Sequence, residues 1–239
     1  MKKILLAATL IIILNACELI VGDRVEGNGN TKTELRNITS ANKIKTAGSF
    51  DIEIAQGNST SVTVEADENL LPYIETFNED GWLIIRPKEH AHLSSKKHLK
   101  VSIVTNKLEA CKVSGSGNVV GKSRFTGGSS LDLGIAGSGD ITLEVNTPTI
   151  NGSIAGSGNI TLVGETKETV IKIAGNGDWR AENLKAENAD VHIAGSGNVH
   201  VFADNKLSIH IAGSGDVFYK GNPQIDQHIA GSGNIKKLP

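Results

Sequence analysis

One hexapeptide returns along the second half of the chain, and its spacing limits the available folds more than any other feature. "IAGSGD" at 135–140 is followed by "IAGSGN" at 154, "IAGNGD" at 173 and "IAGSGN" at 193. Copies at 211 and 229 come next, and a variant, "VSGSGN", precedes them all at 113. The first glycines are Gly115, Gly137, Gly156, Gly175, Gly195, Gly213 and Gly231, spaced by 22, 19, 19, 20, 18 and 18 residues. A period near twenty with strand-like patterning is the signature of a solenoid, in which each repeat is one coil. Apolar residues alternate before each glycine pair (Leu131, Leu133, Ile135; Ile209, Ile211) and again after it (Ile141, Leu143; Val199, Val201). Period-two alternation marks a strand with one buried face. The "GSG" between the strands is a corner, where glycine takes angles that other residues resist.

The expected fold is therefore all-β: a parallel β-solenoid, right-handed by analogy, with about 18–22 residues per coil. Its coils, stacked at the ~4.8 Å interstrand spacing, make a rod roughly 30 Å long. The repeat ends in a column of its own: Asn118, Asp140, Asn159, Asp178, Asn198, Asp216 and Asn234, alternating without exception. Two like charges ~4.8 Å apart repel by roughly 3 kcal/mol at an effective dielectric near 20. Alternation doubles the distance between carboxylates and lets an amide donate to each neighbouring one. The column reads as a structural corner brace.

Upstream the pattern is looser. Residues 113–239 are expected to form the regular solenoid and 37–112 an irregular β-rich cap on it. "TAGSFD" at 46–51 reads as a worn first copy of the repeat. "ENLLPYIET" suits one helical turn started by Pro72, "WLIIRP" and "LKVSIV" supply strands, and "KEHAHLSSKKHLK" between them reads as a charged loop.

Lys2 and Lys3 precede an apolar run from Ile4 to Leu14, too short to span a bilayer, which ends in "LNAC". This resembles a bacterial lipoprotein signal: residues 1–16 would be removed, Cys17 would carry the lipid, and 17–36 would be a lipid-anchored tether. A membrane anchor and a cell-envelope location follow. Glu18 does not match the aspartate that retains lipoproteins at the inner membrane, so the outer membrane is the expected address. With Cys17 acylated, Cys111 is left alone and cannot form an intrachain disulfide. Its alternation with Val113 makes it a buried, inert thiol.

Without Lys2 and Lys3 the chain keeps 22 basic against 26 acidic residues, a net charge of about −4, and shows no basic stripe with interleaved aromatics. Nucleic acid is not an expected partner.

The order of elements, a lipobox, "FDIEIAQGNSTSVTVEADENLLPYIE", "LIIRP" and serial "GSGD/GSGN" phrases, resembles the putative auto-transporter adhesin, head GIN domain family of bacterial envelope proteins. The resemblance covers roughly residues 40–235 and implies a β-solenoid, export to the envelope, and no established activity.

Three classes of function fit such a rod. The first is a non-catalytic envelope lipoprotein presenting a surface to a glycan or an envelope protein, without a cofactor. The second is a carbohydrate-active β-helix enzyme. Hydrolysis there needs two spaced carboxylates, and lyase chemistry needs a base with a cation, whereas the outward positions supply Lys112, Gly134, Ser153, Lys172 and histidines. The third is metal binding. "GSGD" resembles calcium-binding β-roll repeats, but it comes once per coil, which makes a shell of six to eight oxygens hard to assemble. His192, His210 and His228 occupy one outward position in the last three coils and form a candidate transition-metal ladder. The first reading is the expected one.

Overall fold

The structure, a computed structural model, describes residues 23–239. The expected signal segment 1–16 and the expected lipidation site Cys17 lie outside the described residues. The chain is built almost wholly of strands that stack in parallel, coil upon coil, as the repeat requires. Each coil has a strand entering the glycine corner and a strand leaving it. Entering strands such as Ser130–Gly137, Thr149–Gly156 and Lys206–Gly213 form one face, and leaving strands such as Ile141–Asn146 and Val199–Phe202 the other. Pairing is strictly in register at the corner: Gly48, Gly115, Gly137, Gly156, Gly175, Gly195, Gly213 and Gly231 are successive partners. The worn copy at 46–51 is thus the first coil.

Alternation along these strands fills the interior. Ile135, Ile154, Ile173, Ile193 and Ile211 form one buried column, and Ile141, Ile160, Trp179, Val199 and Val217 another. Differences in coil length are absorbed at the bend opposite the glycine corner. There the register shifts between Val120 and Arg124, and again between Thr161 and Val163. The corner stays regular because its geometry forbids insertions.

One interior position breaks the aliphatic rule. Gly152 stands between Leu133 and Ile171 in its column, and a Cβ there would lie 2.0 Å from the ring of Trp179. Glycine makes room for the largest fully buried side chain of the core. Gly152→Leu alone is expected to cost about 3 kcal/mol or more by overpacking. Combined with Trp179→Val, which matches Val199 on the next coil and removes a buried indole N–H without a partner, it should recover most of that loss in chemical denaturation.

The N-terminal end differs from expectation in two places. The segment 17–36, expected to be a tether, is folded in its described part. Asp23–Glu26 pairs in parallel with Ala91–Ser94, and Thr31–Arg36 pairs antiparallel with Ser61–Asp67. The supposed charged loop therefore contains a strand, Ala91–Ser94. Both corrections share one cause, the buried Asp67. Its carboxylate accepts the Ser95 hydroxyl (2.5 Å), the Gly29 N–H (2.6 Å) and the Lys96 N–H (3.2 Å), clasping the two segments together. The Ser95 hydroxyl does most to hold the Asp67 carboxyl below its usual range; burial opposes this, and the two backbone amides assist. A Cβ on Gly27 would meet the same carboxylate at 2.1 Å, and Gly29 takes φ +86°, which together explain the glycines of "VEGNGN". The expected helical turn is present as a 3-10 turn, Leu71–Tyr73, with Pro72 at its start.

Candidate functional site

The column after each corner is hydrogen-bonded from coil to coil, and the bonds run one way. Asn159 donates its side-chain amide to Asp140 Oδ1 (2.8 Å), Asn198 to Asp178 (3.3 Å) and Asn234 to Asp216 (3.2 Å). Asn118 does the same to Asp51, extending the alternation by one member into the worn first copy (3.1 Å). Toward the next coil, each Asn carbonyl instead accepts the backbone N–H of the following Asp, as Asn159 does from Asp178 (3.2 Å) and Asn198 from Asp216 (3.1 Å). The expectation that each amide serves both neighbouring carboxylates is corrected here: it donates only to the preceding one. One carboxylate oxygen, Oδ1, of each of these aspartates is thus occupied within the column, which braces one coil on the next.

The outward side of the entering strands carries a surface of a different kind. Lys112, Gly134, Ser153, Lys172, His192, His210 and His228 are successive register partners, and Lys45 begins the same row. The Lys45 and Lys112 ammonium groups lie over the Trp82 ring at 4.4 and 5.2 Å. Two residues further along each strand stand Ala155, Ala174, Ala194, Ala212 and Ala230, all exposed. Beyond them the corner residues Ser157, Asn176, Ser196, Ser214 and Ser232 make an exposed polar ridge. The alanines thus floor a shallow groove of about 720 Å³ along the rod, walled by the lysine and histidine row on one side. The alanine row was in view in every "IAG", but it became a surface only once the register aligned it.

The three candidate metal ligands are adjacent but do not converge. His192 and His210 stack with ring centroids 5.0 Å apart and planes 7° from parallel, and His228 lies 6.3 Å from His210, tilted 47°. Imidazole lone pairs lie in the ring plane, so the stacked pair directs its nitrogens side by side and not at one point. His192 Nε2 is already 3.1 Å from Asp190. Among the described residues, no group of three or more His, Cys, Asp or Glu is placed to hold a metal ion.

A second depression, of about 830 Å³, lies between the cap and the leaving strands. Some of its charges are paired with one another. Glu53 bridges Lys100 (2.9 Å) and Lys122 (3.0 Å), and His98 meets Asp51 at 2.9 Å. The hydrogen bonds from Lys100 and Lys122 hold the Glu53 carboxyl below its usual value. Cys111 is buried, and burial pushes its thiol up to about 12. Burial and the raised pKa both disfavour the reactive thiolate.

The sequence profile of the family described as "Putative auto-transporter adhesin, head GIN domain" matches residues 41–223. A crystal structure from Parabacteroides distasonis described as a "putative lipid binding protein" is 30% identical, with 91% of this chain and 100% of that one covered and a TM-score of 0.74. A "putative adhesin" from Bacteroides fragilis gives a TM-score of 0.83 at 22% identity over 90% of this chain and 100% of that one. Another from Parabacteroides merdae gives 0.71 at 24% identity, with 91% and 100% covered. No curated protein matches the chain.

Proposed function

Since the chain belongs to the family of the putative auto-transporter adhesin, head GIN domain, we propose that it is a non-catalytic, lipid-anchored envelope protein whose rod presents a binding surface. The observation that carries this reading is the groove on the entering strands. It is linear, rigid and in register over consecutive coils, and it combines an apolar floor with hydrogen-bonding walls. That combination suits an extended ligand, a glycan strand or a peptide of another envelope protein, which would lay an apolar side on the alanines and its polar groups on Lys172 and the histidines. Hydrolysis needs two suitably spaced carboxylates; the row from Lys112 to His228 holds none, and Asp190 beside it is paired with His192 (3.1 Å), which supports binding over cleavage. The names of the relatives, adhesin and lipid-binding protein, agree with a binding role for this chain too.

The anchor and the groove are tested separately. Mass spectrometry of the N-terminal peptide should show an acylated Cys17, and protease shaving of intact cells decides whether the rod faces outward from the outer membrane. For the groove, Ala174→Glu with Ala212→Glu places two charges on its floor at exposed positions. The double variant should keep its melting temperature and lose binding to isolated envelope and host glycans on an array. Equal binding by both proteins would move the binding surface elsewhere. Binding by neither, to glycans or to purified envelope proteins, would remove the reading.

A further inference from the structure

The N-terminal end of the rod is finished by two strands that each pair on one side only, Thr31–Arg36 on one face and Ile74–Glu79 on the other. Between them lies a shallow depression of about 540 Å³ whose rim includes Leu35, Arg36, Pro72, Phe77 and Lys88. Leu35 is 74% exposed, far more than any other large apolar side chain among the described residues, and Tyr73 follows at 39%. Basic groups lean over the aromatic rings: the Arg86 guanidinium lies 5.3 Å from Phe77, and the Lys88 ammonium 5.9 Å from Tyr73. Arg86 is paired with Glu75 (2.9 Å) and Arg36 with Glu34 (3.4 Å), while Glu89 follows Lys88 in sequence. The patch is amphipathic, not polybasic.

Its position gives it a partner. Asp23 pairs with Ala91. The Ala91 N–H bonds the Lys88 carbonyl (3.0 Å), and the Lys88 N–H bonds the Tyr73 carbonyl (2.8 Å). The chain therefore enters the fold beside the patch. Asp23 follows Cys17 by six residue steps, which at 3.3–3.6 Å each can span at most roughly 20 Å. A lipid on Cys17 would hold this end of the rod against the bilayer, and a leucine and two aromatics flanked by cations suit the headgroup region, where rings sit at the water boundary and long cationic side chains reach back to water.

We propose that this end patch is a membrane seat, pressed on the leaflet that carries the Cys17 lipid, so that the coils and their groove project away from the surface. The proposal rests on the anchor reading, and its test separates the two. The acylated protein is reconstituted into phosphatidylethanolamine and phosphatidylglycerol vesicles with brominated acyl chains. It carries a fluorophore on Leu35→Cys or, at the far end, on Asn222→Cys; Cys111 is buried and stays unlabelled. Both proteins should float with the vesicles, with quenching several-fold stronger at position 35. Adding Tyr73→Glu and Phe77→Glu should abolish that difference and leave flotation intact. Flotation with equal, weak quenching at both positions would keep the anchor and overturn the seat. Quenching at position 35 that survives the two glutamates would overturn it too, as mere proximity. A doubled mass with position 35 shielded from lipid would show a second copy on the patch instead. A protein that fails to float lacks the anchor, and the seat falls with it.

Discussion

Replacing Gly175 with alanine is expected to prevent the rod from closing around its middle coils. Gly175 sits at φ +132°, a conformation that L side chains rarely adopt, and a Cβ there would lie 2.3 Å from the Gly156 carbonyl oxygen. That oxygen accepts the N–H groups of Asn176 (2.8 Å) and Gly177 (3.1 Å), so moving it away from the methyl also breaks the corner bonds. The strained backbone alone costs about 1–3 kcal/mol, and separating two coils adds cavity and hydrogen-bond losses, for a sum above ~4 kcal/mol. The melting temperature should fall by about 10 °C or more, or the protein should not accumulate in folded form. Ser157→Ala, at an exposed position of the preceding corner, is the control and should stay within about 0.5 kcal/mol of the parent.

The second large effect should come from Asn159→Asp with Asn198→Asp. Five aspartates, from residue 140 to residue 216, would then stack on consecutive coils. Each adjacent pair repels by roughly 3 kcal/mol at an effective dielectric near 20, less whatever solvent and the nearby Arg180 screen. The amide bonds to Asp140 and Asp178 are lost as well. At pH 7 and low salt the melting temperature should fall by about 5–10 °C. Much of this should return near 1 M salt, where the screening length is ~3 Å. The pH dependence has a definite sign. In the parent, burial pushes the Asp178 carboxyl up, but the Asn198 backbone N–H, Arg180 and, last, the Asn198 side-chain amide outweigh it and hold it below the usual value. Its stabilisation is present above the unfolded aspartate pKa and is lost as pH falls through the lowered folded one. Both proteins therefore weaken in acid, and the gap between them should close as pH falls toward about 3, where protonation removes the repulsion. A gain in stability specific to calcium would instead show that the crowded column binds metal.

What could be read from residue order alone follows the range of the interactions that decide it. The corner was legible because its demands are local and repeated: positive-φ glycines, a polar residue to brace each coil, apolar alternation on both sides. Even the worn "TAGSFD" carried enough of that grammar to be placed, and Asp51 proved to be the missing first member of the column. The far bend was not legible. There "EVNTPT", "GETK" and "FADNK" share no residue pattern, and stacking is kept by backbone bonds and a buried Thr147, Thr166 and Ala203. The segment around "VEGNGN" was misread as linker because its partner, Asp67, lies about forty residues away and nothing nearby announces it. Histidines at a shared outward position were correctly placed in one row, but whether their nitrogens converge depends on ring angles, which spacing does not encode.

The alternation in the bracing column has a consequence for how such a rod can lengthen or err. Hexapeptides this similar could stack equally well with a coil skipped, and beyond the Gly152–Trp179 fit the apolar interior would offer little to prevent it. Parity objects. Looping out the coil of Asn159 would set Asp140 directly on Asp178, and looping out that of Asp178 would leave two amides facing each other with no carboxylate to receive either. Correct neighbours always differ, and omitting any single coil from within the column makes two neighbours alike. The same arithmetic bears on ancestry: inserting one coil disturbs the order, whereas inserting a pair preserves it. Rods of this kind should therefore grow by duplicating coils two at a time.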